Sequence, residues 1–250
     1  MKVGLLLCFR EVFSKEGFYG DLYKNFVRFT PSETIHGVHA RPWKNSDLKL
    51  INNYNGKKDI FVMDDNDNSF TATLPAATHS HRAVEIVQNH EVFLPGTSEI
   101  EKLIDNEYFV SGYLFNEDYE FVQSAKYANT LNIREISPDI LASIKNTPSR
   151  QAIFDKEYNT KFNPGRRDLI NYTWLMVGWK MWFGKSFFNL VPRDKLLSFP
   201  YATTIRELPN GQIFVQLYEK MEEPYTANSV YRQWKWREWM GYDELFEKES

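Results

Sequence analysis

The chain has 250 residues, a net charge of −3, 42% hydrophobic and 25% charged side chains, and 16% aromatics. That composition bounds it to one large or two small folded domains and excludes a disordered chain. Its one cysteine, Cys8, excludes an internal disulfide and a cysteine zinc cluster, and points to a reducing, cytoplasmic setting.

The start, MKVGLLLCFREVF, predicts a buried β-strand over residues 2–9. Arg10 and Glu11 end the apolar run and no small-residue cleavage site follows, so a strand fits better than a signal peptide. SKEGFYGDLYKNFVRF predicts an amphipathic helix with Phe18, Leu22, Phe26 and Phe29 near one face. TIHGVHARP predicts a strand ended by Pro42, and NSDLKLINNY a short capped helix. KDIFVMDDNDNSFTATLP reads as a hairpin, since β-branched and aromatic runs flank a cluster of Asp and Asn.

HSHRAVEIVQNH predicts a helix with Ala83, Ile86 and Val87 on one face. SEIEKLIDN predicts a helix opened by a capping box of Ser98 and Glu101. EYFVSGYLF reads as a strand, whereas DYEFVQSAKYANTLNI fits strand or helix. SPDILASIKN and SRQAIFDKEY predict two short helices, each with a Ser near its start.

Residues 166–185 predict one long helix. On a helical wheel Trp174, Val177, Met181 and Ile170 fall on one side, and Trp179, Trp182, Leu175 and Phe183 on the other. A membrane span is disfavoured because Asp168, Lys180 and Lys185 interrupt the run. The expectation is a central aromatic helix covered by sheet and other helices. ATTIRELPNGQIFVQLYE then reads as a second hairpin turning at Asn210–Gly211, and NSVYRQWKWREWM as a closing helix. The two hairpins, without regular βαβ alternation, predict an α+β fold: antiparallel sheet packed around the central helix. Residues 1–250 are read as one domain, with a weak boundary near 136–150.

Charge is uneven, at +3 over residues 1–50, −7 over 51–150, +4 over 151–200 and −3 over 201–250. Residues 91–120 carry eight acidic side chains against Lys102 alone. This argues against a nucleic-acid binder, which must neutralise phosphates; a solvated acidic face accounts for it, and it is compatible with a basic protein partner. Glu99, Glu101, Asp105, Glu117, Asp118 and Glu120 are the candidate partner surface. Trp236 joins them, because Trp234, Trp236 and Trp239 cannot all lie on one helix face.

No motif settles a chemistry. His79, His81 and His90 lack a further ligand at metal spacing, so no metal site is assigned. DDNDNS, residues 64–69, lacks the Gly and distal Glu of a calcium loop and reads as a turn. There is no Gly-x-Ser-x-Gly elbow and no Gly-rich phosphate loop. PGRRD is read as surface arginines before a helix, though a helix start there would suit an anion. No catalytic residue and no cofactor are assigned.

The C-terminal third carries GWKMWFG, then FFNLVPRDKLLSFPYATTIRELPNGQIFVQLYEKMEEPYTAN, then a terminal helix. This order resembles the immunity protein 52 family of bacterial polymorphic toxin systems. The matching positions are Gly178, Trp179, Pro192, Gly211, Leu217, Tyr225 and Asn228. The resemblance covers about 70 residues and implies a cytoplasmic, non-enzymatic α+β protein that binds and neutralises a cognate toxin. The alternatives are an enzyme of unrecognised type with a pocket near the central aromatic helix, and a phage or structural assembly protein.

Overall fold

A computed structural model describes residues 1–11, 13, 17–36, 39–54, 59–73, 81–91, 95–133, 135–144, 147–153 and 155–249. In chain order it forms β1 (Lys2–Arg10), α1 (Phe18–Phe26), β2 (Glu33–His36), β3 (His39–Pro42), α2 (Leu48–Asn52), β4 (Ile60–Met63), β5 (Ser69–Thr73) and β6 (His81–Asn89). There follow α3 (Thr97–Leu103), β7 (Phe109–Asn116), α4 (Glu117–Ser124), α5 (Pro138–Ala142), β8 (Ser149–Gln151), β9 (Lys156–Tyr158), β10 (Asp168–Leu169) and β11 (Trp174–Leu175). The chain closes with β12 (Lys180–Phe183), α6 (Arg193–Leu197), β13 (Thr204–Glu207), β14 (Ile213–Gln216), α7 (Ala227–Met240) and α8 (Tyr242–Glu249).

The fold is α+β. Ten strands form one antiparallel sheet in the order β13-β14-β12-β7-β1-β6-β5-β4-β2-β3. β1 sits near its centre and is buried on both faces from Val3 to Phe9. Alternation along the strand sends Val3, Leu5, Leu7 and Phe9 to one core, and Leu6 and Cys8 to the other. A Cβ at Gly4 would meet the Phe115 ring at 2.3 Å, so the absent side chain makes room for that ring.

α1, α2 and α3 cover the first face with Phe18, Leu22, Phe26, Ile51, Ile100 and Ile104. Phe9 stacks on Phe13 with ring centroids 4.5 Å apart and meets Phe18 edge-on at 5.1 Å. Fully burying each such ring stabilises the fold by about 1.5–3 kcal/mol. The second face is covered by the C-terminal third: Phe187, Leu196, Phe199, Trp236, Met240 and Tyr242 pack there.

The long helix expected over 166–185 does not form. That stretch makes β10, β11 and β12. β12 pairs with β7 and β14 and joins the C-terminal strands to the N-terminal sheet. Trp182 faces the first core and Phe183 the second. A strand buried on both faces has no polar side, so its pattern mimics a buried helix. The helix expected around Ala83–Val87 is strand β6 instead; its polar residues Arg82, Glu85 and Gln88 recur every third position, which imitates a helical period. The expected second short helix is the β8–β9 hairpin, whose exposed residues carry no helical stripe.

Other elements form as read: β1, α1, the β4–β5 and β13–β14 hairpins, α5 and α7. Gly211 adopts φ +80°, the left-handed conformation that the second hairpin's turn requires. At α3 the reach-back contact sits two residues earlier than expected: Glu99, not Glu101, accepts from the Gly96 N–H at 3.0 Å. In the first hairpin the Asp64 carboxylate accepts from the backbone N–H of Asn66 and Asn68, both at 2.9 Å. It is occupied as a turn residue. Among the described residues no helix is long and apolar enough to cross a membrane.

Candidate functional site

The segment NPGRRD, residues 163–168, runs along the second face without forming a helix. Its start is tied to the loop before it and to the end of α4. Asn163 Oδ1 accepts from Thr147 Oγ1 at 2.7 Å, and Asn163 Nδ2 donates to the Gln123 carbonyl at 2.8 Å. The Gly165 N–H donates to Gln123 Oε1 at 3.2 Å, and the Arg167 N–H to Ser124 Oγ at 3.0 Å. Two backbone N–H groups of the segment are thereby bonded, and the two arginine side chains lie beneath the surface. This corrects their reading as surface charges.

Arg166 and Arg237 have side chains only 5% and 1% exposed and share two carboxylates, Asp168 and Asp243. Arg166 Nε lies 3.2 Å from Asp168, and its Nη2 lies 2.6 Å from Asp243. Arg237 Nη2 donates to Asp243 at 2.9 Å and to Asp168. Burial, then the neighbouring Arg237, push Arg166 down from the ordinary arginine value. The two carboxylates oppose that shift and keep the cluster balanced.

Arg167 takes different partners. Its Nη2 lies 2.7 Å from Glu85 on β6 and 3.0 Å from Glu120 on α4. The guanidinium sits 5.4 Å from the ring centroids of both Phe115 and Trp174. Burial works against its charge, but Glu120 and Glu85 outweigh burial and hold Arg167 above the ordinary range.

Arg166 and Arg167 line a cleft of about 800 Å³, within the size range of ligand sites. Tyr158, Trp174 and Phe246 contribute half-buried aromatic wall, and Lys126, Arg150 and Lys161 lie exposed around it. Each lining carboxylate is engaged: Glu157 by Arg150, Glu247 by Lys161, and Asp168 and Asp243 by Arg166 and Arg237. Among the described residues no histidine or cysteine lines it.

The buried polar cluster beneath exposes no nucleophile among the described residues. Cys8 is fully buried, and burial raises its thiol pKa. Ser111 Oγ and Thr173 Oγ1 pair at 2.5 Å with no exposure. His79 lies outside the described residues. His81 is buried with its Nδ1 3.3 Å from the Asn171 carbonyl, and His90 lies 3.6 Å from Glu222. Among the described residues no group of three His, Cys, Asp or Glu is placed to hold a metal.

The expected partner residues do not gather on one surface. Glu99, Glu101 and Asp105 belong to α3 and its end, over the first face, where Glu101 pairs with Arg206 and Asp105 accepts from Asn210. Glu117, Asp118 and Glu120 form the first turn of α4, where negative charge complements the helix dipole. Glu117 and Glu120 are buried there, and Asp118 accepts from the Lys2 N–H at 3.1 Å. Trp236 is fully buried, stacked on Phe183 at 5.7 Å and edge-on to Phe199 at 5.0 Å. It is a core residue, and the expectation that it meets a partner is corrected.

The exposed aromatics of the same helix are Tyr231 and Trp239, 47% and 38% exposed. Tyr201, 39% exposed, joins them, its ring 5.6 Å from Tyr231. Phe199 links Tyr201 and Trp239 from below, at 5.7 and 6.2 Å. Trp239 Nε1 donates to the Lys195 carbonyl at 2.9 Å, which fixes its ring. Lys195, Lys235 and Glu238 border this corner. Neither this corner nor the cleft is contiguous in sequence, and the GRR tripeptide and the WKWREW run were their only local signals.

Comparisons with protein-family models, with curated proteins and with solved structures each find no match to this chain.

Proposed function

We propose that this chain is a non-enzymatic binding protein of the immunity type, which occupies and neutralises a cognate toxin in the cytoplasm. The observation that carries the reading is the aromatic corner of Tyr201, Tyr231 and Trp239. Tyr and Trp dominate the energetics of protein interfaces, and here they rest on the buried Phe199–Trp236 pair. Little side-chain freedom remains to be lost on binding. The corner lies in the C-terminal third, where the sequence resembles immunity protein 52, and α7 carries two of its three rings. A nucleic-acid or membrane partner is not part of this reading.

A second reading, an enzyme, draws support from the size of the charged cleft. The cleft's chemistry adds little to it: among the described residues no histidine or cysteine lines the cleft to activate the hydroxyls of Ser124, Ser149 and Thr160, and its lining carboxylates are all engaged.

The experiment is capture of partners from the native cell with the full chain as bait, identification by mass spectrometry, and co-expression of each captured protein. The proposal expects a captured protein that arrests growth alone and is tolerated when the chain is co-expressed. If none of the captured proteins is harmful, or if the chain rescues none, the reading fails.

A further inference from the structure

We infer that the cleft over Arg166 and Arg167 is a binding site for a small organic anion carrying a planar aromatic group. The inference does not depend on the protein-partner reading. It rests on an accounting of charge within the cleft.

Every carboxylate in the lining is matched by a cation, as described above, so a cationic ligand would find no free acceptor of that kind. The donors are in surplus. Lys126 is exposed at the cleft, and among the described residues its ammonium has no ion-pair or hydrogen-bond partner. Arg167 Nε has no hydrogen-bond partner among the described residues, but it is buried, so the donor that the cleft exposes in surplus is the Lys126 ammonium. Arg150 is 79% exposed, so its pair with Glu157 is of the weak, solvent-screened kind that a ligand displaces at little cost.

The arginine lining is rigid as well as basic. Arg166 spends Nη1 on the Lys161 and Asn163 carbonyls, at 2.9 and 3.1 Å, and cannot swing away. Arg167 is held between Glu85 and Glu120 with Trp174 beside it. Trp174, Tyr158 and Phe246 supply the apolar wall that a ring would cover. A site with a few placed charges and an aromatic lining selects a ligand with one anionic group and one flat apolar part.

The test uses the full chain and two fluorescent probes of nearly the same shape. 8-Anilinonaphthalene-1-sulfonate is a planar aromatic anion; N-phenyl-1-naphthylamine lacks the sulfonate. The sulfonate should saturate a single site and the neutral probe should bind it far more weakly. Lys126→Glu should raise the dissociation constant of the sulfonate about tenfold, a loss of one charge contact and gain of one repulsion. Lys235→Glu, at the aromatic corner, should leave it unchanged, and Lys126→Met should give an intermediate loss with an unaltered melting curve. Equal affinity of wild type and Lys126→Glu, equal affinity for the two probes, or no saturable binding would each overturn the inference.

Discussion

The two faces of the sheet are cored by different chemistry, although one strand, β1, supplies both. The first core is aliphatic and phenylalanine-rich, built by Leu5, Leu7, Phe9, Phe18 and their neighbours. The second holds comparable aromatic packing but also buries Arg166, Arg237, Ser111, Thr173 and His81. The first face buries polar groups as well, Gln88 and Gln212 among them, but these are uncharged, whereas burying the two arginines costs stability unless each is paired. The first face therefore reads as scaffold, and the second as the side where this chain keeps its specialised surfaces, the cleft and the aromatic corner.

The largest expected effects sharpen that contrast. Phe9→Ala should cost about 3–5 kcal/mol through the cavity it leaves. Arg237→Ala should cost a similar amount, about 3–5 kcal/mol, for another reason: Asp168 and Asp243 lose a buried counter-charge. The double variant Arg237→Met with Asp168→Leu leaves the Arg166–Asp243 pair intact and should recover much of the loss. Phe9→Ala with Phe13→Ala should lose more than either alone. Urea unfolding measures all four, and a strictly additive Arg237–Asp168 pair would erase the distinction between the faces.

Next in size is Thr173→Val. It keeps the shape but leaves the Ser111 hydroxyl without its 2.5 Å partner, at a cost of about 1–3 kcal/mol. An unchanged urea midpoint would mean that the buried hydroxyl pair contributes nothing.

A smaller effect belongs to the first face. Burial pushes the Tyr23 phenol up from 10 to about 12. A pKa raised in the folded state gives stability that is complete below pH 10 and is lost as pH rises to about 12. Tyr23→Phe should flatten the decline across that window. If wild type and variant decline in parallel, the phenol is not buried as described.

The smallest stability change should come from Tyr231→Ala at the aromatic corner, within about 0.5 kcal/mol, because the residue is nearly half exposed. Thermal melting checks this, and a large loss would mark Tyr231 as scaffold.

What the sequence made legible follows from the same contrast. Where one side of an element meets water, its period shows, as in α1, the β4–β5 hairpin and α7. Through its polar residues at every third position β6 imitates a helix. Where both sides are buried, polar alternation vanishes, and the segment from Asp168 to Phe183 imitates one too. The Trp and Phe residues there, with Gly178 and Gly184 as punctuation, were equally consistent with short buried strands. The acidic stretch is not one surface, since its members serve a helix dipole, an internal arginine and a sheet-edge pair. The cleft was hidden because its lining is drawn from residues 124–126, 148–174 and 243–247. No local pattern reports such an assembly.

The central claim is that this chain meets a protein through the corner of Tyr201, Tyr231 and Trp239. Its most direct test is calorimetric titration of the captured partner into wild type, Tyr231→Ala and Glu99→Lys. The account predicts at least a tenfold loss of affinity for Tyr231→Ala, about 1.4 kcal/mol or more, and little change for Glu99→Lys. Full affinity in Tyr231→Ala with a loss in Glu99→Lys would contradict it and move the interface to the other face.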